Sequence, residues 1–342
     1  MKKILITGGS GFIGTNLINF LLKEKKFKIF NLDIFSYAST PDKFKEYYKN
    51  KNYFFIKGNI GNTSLVEKII KKNNFEVIFN LAAYSHVDKS IDEPKTFIKN
   101  NILSNLNFID LIYLCTKNNK FNGKFINIST DEVYGSNLKN PSNEESCLNP
   151  NSPYSASKAS IDHIIRSYNK TFKLPYINVR CCNNFGPYQF SEKFIPTIIT
   201  NIFANKKIPL YGDGKYFREW IYVEEFCSAL YNIYLKGKIN NIYNVGTNQR
   251  LSNFELAKTL QNIIKKKFKT EFNKDLIQYV IDRPGHDRSY KLNSNKIRKD
   301  TNWKNKEKLE TSLLKTIMWY DENKTWFNYT RKKYDGRRQG LK

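Results

Sequence analysis

The sequence predicts an α/β protein built on a doubly wound parallel sheet, with a smaller, mixed C-terminal domain. Three observations predict it. Short apolar runs alternate with helical patterns through the first 180 residues. A glycine-rich segment, residues 7–14, joins the first apolar run to the first helical one. After Arg180 the alternation breaks up around Pro187, Pro196, Pro209 and the turn Tyr211-Gly212-Asp213-Gly214.

Residues 3–7 form a short apolar run of the kind that is buried on both faces of a parallel sheet. A helix follows over 13–23. Strands are expected at 28–32 and 77–81, with a helix at 64–72; nothing is assigned between 33 and 63. A single long helix is expected over 96–116, then a strand over 125–129, a helix over 154–172 and a strand over 175–179. Repeated strand–helix–strand units give a parallel sheet. Beyond Arg180 one more strand is expected at 241–246, and short helices alternate with loops to about 330.

The expected division follows. Residues 1–180, with a return segment of about 220–249, form the larger domain. Residues 181–219 and 250–330 form the smaller one, and 331–342 a C-terminal tail. No repeat or low-complexity linker separates the two, so a cleft between closely packed domains is expected.

Composition excludes several classes. Of 342 residues, 40% are hydrophobic, enough for a sizeable core. No window of 18 apolar residues spans a membrane. The apolar start Ile4-Leu5-Ile6 stops at Thr7-Gly8-Gly9, too short for a signal peptide, which points to the cytoplasm. Five cysteines without a C-x-x-C pair read as reduced, mostly buried thiols. His86, His163 and His286 lie far apart, so no metal is expected. The net charge of +26 raises nucleic-acid binding. Its lysines are scattered, however, at 25–26, 71–72 and 265–267, with no stripe interleaving them with aromatics. A generally basic surface without a nucleic-acid partner is the reading preferred, and its field still favours a doubly anionic ligand.

The segment Thr7-Gly8-Gly9-Ser10-Gly11-Phe12-Ile13-Gly14 carries G-x-x-G-x-x-G at Gly8, Gly11 and Gly14. Glycines there allow a tight turn and let backbone N–H groups approach a pyrophosphate at a helix N-terminus. The motif alone is weak; its strand–turn–helix setting is the confirming one, and it marks a Rossmann-type dinucleotide site. Asp33 ends the second strand, placed to accept hydrogen bonds from ribose hydroxyls and to repel a 2′-phosphate. That favours NAD over NADP. The competing reading of Asp33 is a helix cap or loop acid.

Tyr154 and Lys158 stand at i and i+4, on one face of a helix. A nearby ammonium is expected to stabilise the phenolate and lower the tyrosine pKa. Upstream, Ser129-Thr130-Asp131-Glu132 begins at the C-terminal end of a strand, where open α/β sheets hold ligands. Thr130 can donate to a hydroxyl. Asp131 and Glu132 place two carboxyls beside the Tyr–Lys pair. Simple alcohol oxidation needs neither, whereas an elimination needs a base for a C–H proton and an acid for the leaving hydroxyl. The competing reading of Asp131-Glu132 is a solvated turn.

With these residues on the page, the chain resembles the dTDP-glucose 4,6-dehydratase family, within the extended short-chain dehydrogenase/reductases. The resemblance runs through nearly the whole chain. It is carried by residues 7–14, L-A-A-Y-S-H-V-D-K-S-I at 81–91, S-T-D-E-V-Y-G at 129–135 and Y-S-A-S-K at 154–158. More specific still are N-N-F-G-P-Y-Q-F-S-E-K-F-I-P at 183–196, R-E-W-I-Y-V at 218–223 and D-R-P-G-H-D-R-S-Y at 282–290.

The resemblance implies an NAD-dependent hydro-lyase acting on a nucleoside-diphosphate glucose. Tyr154 would deprotonate O4 while a hydride leaves C4 for NAD, with Thr130 holding the hydroxyl and Lys158 tuning Tyr154. Glu132 would remove the C5 proton and Asp131 would protonate the departing C6 hydroxyl. NAD would be held by Gly8, Gly11, Phe12, Ile13, Gly14, Asp33, Ile34, Ser36, Asn59, Ile60, Leu81, Ala82, Ala83, Ser129, Tyr154 and Lys158. Substrate would be held by Ser85, Thr130, Asn183, Glu192, Lys193, Arg218, Asn253, Arg283, His286 and Tyr290. A guanidinium suits a diphosphate; a surface ion pair is the competing reading of each arginine, and a structural turn histidine that of His286.

The resemblance also implies a homodimer pairing the helices at 96–116 and 155–172, with apolar residues such as Phe97, Leu103, Leu106, Phe108, Leu111 and Ile112 available for two faces. The 4-keto-6-deoxy product serves deoxysugar pathways, that of dTDP-rhamnose among them. Three positions depart from the family pattern: Tyr84 stands where Glu is usual, and Asn59 and Glu219 where Asp is. The rival functions are a UDP- or CDP-glucose 4,6-dehydratase, a sugar-nucleotide 4-epimerase or decarboxylase on the same scaffold, and a non-catalytic nucleotide-sensing protein. An epimerase has no use for acid–base groups at C5 and C6.

Overall fold

The structure, a computed structural model, describes residues 1–269, 271 and 275–334. In chain order the first half comprises β1 (Lys2–Thr7), α1 (Phe12–Lys23), β2 (Phe27–Asp33), β3 (Tyr53–Lys57), α2 (Thr63–Lys72) and β4 (Phe75–Asn80). It continues with α3 (Val87–Asp92), α4 (Pro94–Phe97), α5 (Ser104–Lys117), β5 (Lys124–Thr130), α6 (Pro153–Phe172) and β6 (Ile177–Cys181). The second half comprises β7 (Asn183–Phe185), α7 (Phe194–Phe203), β8 (Ile208–Tyr211), β9 (Phe217–Tyr222), α8 (Val223–Lys236) and β10 (Asn241–Val245). Then come β11 (Arg250–Ser252), α9 (Asn253–Phe268), β12 (Ile277–Val280), α10 (Asn295–Thr301), α11 (Leu309–Glu322) and α12 (Lys324–Lys333).

Seven parallel strands form one sheet in the order β10-β6-β5-β4-β1-β2-β3. The chain winds outward from β1 through β2 and β3, then restarts at β4 and winds the other way. That reversal opens a crevice beyond the carboxyl ends of β1 and β4, where such sheets bind ligands. Alternate residues of one strand supply two cores. Ile4 and Ile6 face a cluster containing Leu17 and Phe226, while Leu5 faces another containing Val66, Phe108 and Ile112. Burial on both faces is why β1 and β4 read as continuous apolar runs.

A separate core lies in the second half, where Ile198, Leu210, Leu256, Leu313 and Trp326 pack together. Two small sheets accompany it: β11-β9-β7, and the parallel pair β12-β8. The segment containing α8 and β10 rejoins the large sheet, with β10 pairing to β6.

A polar ladder crosses the middle of the large sheet. Thr7 Oγ1 donates to Asn80 Oδ1 (2.7 Å), Asn80 Nδ2 to Asn127 Oδ1 (2.9 Å), and Asn127 Nδ2 to Asn178 Oδ1 (2.8 Å). It therefore links β1, β4, β5 and β6 side chain to side chain. Asn80 also donates to Asn105 of α5 (2.8 Å), which donates onward to the carbonyl of Ala82 (3.3 Å). All of these side chains are buried, so their partners must be found inside the protein.

Three expectations are corrected. The single helix expected over 96–116 is instead α4 and α5 joined by a π-helical turn at Ile98–Leu103. The widened turn accompanies the inward-facing amide of Asn101, which bonds both backbone groups of Tyr84 and the hydroxyl of Ser157. A strand, β3, occupies the stretch where none was assigned. Its flanking lysines and asparagines hide it, because it is the edge strand and exposes Phe54. The tail expected from 331 begins inside α12, and its residues 335–342 lie outside the described residues.

Replacing Asn127 by Val breaks the ladder at its centre and strands the Asn178 carbonyl oxygen in the core. The expected loss is about 2–4 kcal/mol of unfolding free energy in a urea titration. A loss below roughly 1 kcal/mol would mean that the ladder is redundant.

Candidate active site

The glycine loop is shaped by contact with the exit of β4. Gly8 has φ +70°, and a Cβ there would lie 2.8 Å from the backbone N of Ala82. A Cβ on Gly14 would lie 2.5 Å from the Gly8 carbonyl oxygen, so α1 can start against the loop only with glycine there. These two positions leave a backbone cradle at the N-terminus of α1, facing the crevice. Asp33 closes its far side. Its carboxylate accepts from Ser10 N (2.9 Å), Phe35 N (2.7 Å) and Ser39 Oγ (3.3 Å). Both readings of Asp33 therefore meet in one side chain: it organises the loop, and it stands at the rim of the cleft.

Helix α6 carries Tyr154 and Lys158. A capping box between Ser152 and Ser155, with Pro153 at the first helical position, fixes where it starts. Tyr154 is therefore anchored in the first turn, and its backbone N donates to Ser90 Oγ (3.1 Å). Lys158 donates to the carbonyl of Ile128 (2.6 Å), which ties α6 to β5. At the end of β5 the chain turns through a 3₁₀ segment, Asp131–Tyr134, closed by Gly135 at φ +70°. Thr130 Oγ1 accepts from Glu132 N (3.3 Å) and lies 3.3 Å from Asp131 Oδ1.

All sixteen residues expected at the cofactor line one cleft, together with Thr130, Asp131 and Glu132. The dinucleotide fits what is there: a glycine cradle for a pyrophosphate, an acid at the ribose position, and Ser129 Oγ buried with no protein partner. A second cavity adjoins it, lined by Arg218, Asn253, Arg283, His286 and Tyr290. Ser85, Glu132, Asn183, Glu192 and Lys193 line both cavities. Glu132 thus stands at the junction.

The second cavity is basic and braced. Arg218 lies over the ring of Tyr290 (4.3 Å) and donates to the Asp287 carbonyl (2.8 Å). Arg283 donates to Asp88 Oδ1 (2.5 Å), and Tyr211 to Asp88 Oδ2 (2.7 Å). Neither arginine is a surface ion pair: Arg218 is buried, and Arg283 pairs inside the cavity wall with its Nε unpartnered. His286 stacks on Tyr216 (3.8 Å) and bonds Asp282 (2.7 Å), so it has a structural role as well as a place in the lining.

Asp131 is 2% exposed, which rules out the solvated-turn reading. Burial, with Glu132 and Glu219 nearby, holds its carboxyl well above the usual range. Burial also raises Glu132, while Arg283, Arg218 and Lys193 oppose the shift. Burial brings His286 down to about 3, so its ring is neutral. Tyr154 differs from the expectation that Lys158 would lower it. Burial, then Glu132, pushes the phenol well above its ordinary value, and Lys158 is itself lowered by burial while its ammonium is committed to Ile128. In this structure desolvation is the largest cause of the shift at both residues.

The departures have definite surroundings. Tyr84 packs its ring on Phe97 (5.8 Å) and is clamped by Asn101. Asn59 Oδ1 accepts from Gly61 N (2.7 Å), a local turn that occupies one lone pair. Glu219 accepts from the backbone N–H groups of Thr247, Asn248 and Leu292, which binds β9 to two later segments. Sequence reasoning missed Tyr37, whose hydroxyl donates to Glu192 (2.9 Å), and Lys89, whose ammonium is 3.5 Å from the same carboxylate. Lys89 lies inside a quoted motif; Tyr37 sits in a loop with no pattern of its own.

Four of the five cysteines are buried, Cys147 is exposed, and all are free. Among the described residues no three His, Cys, Asp or Glu side chains gather as a metal site, and no helix is long and apolar enough to cross a membrane.

A glycine-cradled crevice with Tyr154 and Lys158 on the adjoining helix defines a dinucleotide-dependent enzyme of the short-chain dehydrogenase/reductase type. The family model described as GDP-mannose 4,6 dehydratase matches residues 5–316. A dTDP-glucose 4,6-dehydratase of Escherichia coli is 38% identical, with 99% of each chain covered. The dTDP-glucose 4,6-dehydratase of Bacillus anthracis, solved in complex with NAD, superposes with a TM-score of 0.86 at 38% identity, covering 96% of this chain and 100% of that one. That of Streptomyces venezuelae, with NAD and TYD bound, gives 0.88 at 32% identity, covering 96% and 99%. The chain belongs to the dTDP-glucose 4,6-dehydratase family.

Asp131 offers a test through pH. Its folded-state pKa lies above the unfolded value of about 3.9, so the folded protein binds the extra proton. Its contribution to stability is present below about pH 4 and fades as pH rises toward the folded value. Asp131→Asn is therefore expected to gain stability over the native protein progressively above about pH 4 in thermal melts. A difference that stays constant with pH would contradict a raised Asp131.

Proposed function

We propose that the protein converts dTDP-glucose to dTDP-4-keto-6-deoxyglucose and water, by oxidation at C4, elimination across C5 and C6, and reduction at C6. The observation that carries this reading is the pair of carboxyls at the end of β5. Asp131 is buried and its carboxyl is raised by that burial; Glu132 faces both the cofactor cleft and the cavity lined by arginines. When bound, NAD accepts the C4 hydride and later supplies it to C6.

Tyr154 takes the proton from O4 as C4 is oxidised, and Thr130 orients that hydroxyl. Lys158, buried beside the cofactor cleft, supplies positive charge to the phenolate that forms. The C4 ketone acidifies the C5 proton, which Glu132 removes. Asp131, a neutral acid by virtue of its burial, protonates the C6 hydroxyl as it leaves as water. Glu132 then returns a proton to C5. Two adjacent carboxyls, one to give a proton and one to take one, are what an elimination requires. Arg218 and Arg283 take the diphosphate, with Lys193, Glu192, Asn183, Ser85, Asn253, His286 and Tyr290 completing the sugar-nucleotide pocket.

The larger lobe, 1–180 with 220–249, holds NAD in this reading, and 181–219 with 250–330 holds the sugar nucleotide. The enzyme works in the cytoplasm as a homodimer. Of the apolar residues that the sequence suggests for that contact, Leu103 is exposed and most of the others are not. Phe97, Phe108, Leu111 and Ile112 are buried in the protomer's own core, whereas Ile98, Leu103, Leu114 and Phe172 are exposed on or beside α5 and α6.

Incubation with dTDP-glucose, UDP-glucose and CDP-glucose in parallel, followed by mass, tests the assignment. Loss of one water with no net NADH is expected, fastest with dTDP-glucose. Glu132→Gln is expected to abolish solvent exchange at C5 while leaving NAD bound. Products of unchanged mass from all three substrates would point instead to an epimerase.

A further inference from the structure

Lys45 is a buried cation that the mechanism above does not use. It lies in the connection between β2 and β3, and its side chain is 0% exposed. Its ammonium donates to Ser10 Oγ (3.1 Å) and Asp42 Oδ1 (3.0 Å) and lies 5.4 Å from the ring centres of both Phe35 and Phe55. Ser10 belongs to the glycine loop, and its backbone N is a donor to Asp33. Ser10 Oγ also accepts from Asn31 of β2 (3.0 Å). One ammonium therefore touches the glycine loop, the segment that follows Asp33, and the electrostatic field of Asp33.

We infer that Lys45 is a positioning residue for the cofactor: its buried ammonium, bonded to Ser10, pins the segment that follows Asp33 to the glycine loop and so holds the Asp33 carboxylate aimed at the adenosine ribose. The physical need is plain. Asp33 is 7% exposed, and an ionised carboxylate so placed needs opposite charge as well as hydrogen bonds. Burial pushes its pKa up, while the Phe35 and Ser10 N–H groups, Lys45 and Ser39 pull it down. Asp42 does not satisfy Lys45 alone, since its carboxylate is 33% exposed and sits on the outer side. A simple packing role would be filled as well by an apolar chain; the ammonium's bonds to Ser10 Oγ and Asp42 Oδ1 argue for the charge.

The inference rests on the proposal that Asp33 binds the ribose of NAD, and the experiment separates the two. Purified full-length native protein, Lys45→Met, Asp33→Asn and the double variant are each titrated with NAD, with binding read by protein fluorescence. Met conserves the volume of the Lys stem. Lys45→Met is expected to weaken NAD binding about tenfold in the native background and less than about twofold beside Asp33→Asn, because the two changes remove one interaction. Equal weakening in both backgrounds, or none in either, would overturn the role given to Lys45. If Asp33→Asn itself leaves NAD affinity unchanged, the ribose assignment fails and takes the inference with it. Should Lys45→Met not fold, Lys45→Gln, which keeps a donor to Ser10 but no charge, is judged by the same cycle.

Discussion

The site depends on keeping a small set of ionisable side chains out of water. Asp131, Tyr154 and Lys158 are all less than a tenth exposed, and Glu132 sees only the cleft. Burial is the largest cause of the shift at each of the four, ahead of any single neighbour. Desolvation raises the Asp131 carboxyl and so favours its neutral form, which has a proton to give. The same desolvation strengthens the pull of Arg218, Arg283 and Lys193 on Glu132, which must be ionised to act as a base. Both neighbouring carboxyls are raised by burial, but three cations oppose the shift at Glu132 whereas Glu132 and Glu219 add to it at Asp131.

That arrangement requires β5, α6 and the arginine-bearing segments to meet within a narrow tolerance. The asparagine ladder helps to set it, because it fixes β1, β4, β5 and β6 by side chains close to where the strands deliver Ala82, Ser129 and Thr130 to the cleft. Lys158 adds a strut from α6 to the Ile128 carbonyl. On the other side, Glu219 collects three backbone N–H groups and holds β9, which carries Arg218, against the segment at Leu292. The residues that line the two cavities are therefore mounted on two cores joined by buried polar contacts.

Much of this was legible in the sequence for physical reasons. The strands of the large sheet are buried on both faces and advertise themselves as apolar runs, and the glycines at 8, 11 and 14 are dictated by backbone contact. Every candidate site residue falls in one of two adjoining cavities. What stayed hidden depends on tertiary partners. The edge strand β3 lacks a second buried face. The π turn at 98–103 follows from Asn101 reaching Tyr84, residues that share no local pattern. The upward shift of Tyr154 reverses the expectation drawn from the Tyr–Lys spacing, because spacing says nothing of how dry the pocket is or that Lys158 is engaged by Ile128. Lys45 reads as one more lysine in a basic chain until the fold places it under Ser10.

An internal exchange run by this buried set returns the hydrogen removed from C4 to C6 of the same sugar, while C5 takes its hydrogen from solvent. dTDP-glucose carrying deuterium at C4 tests it in a single turnover, read by mass and by the position of the label. The product is expected to keep the deuterium, in the C6 methyl group. Loss of the label to water, or its retention at C4, would contradict it.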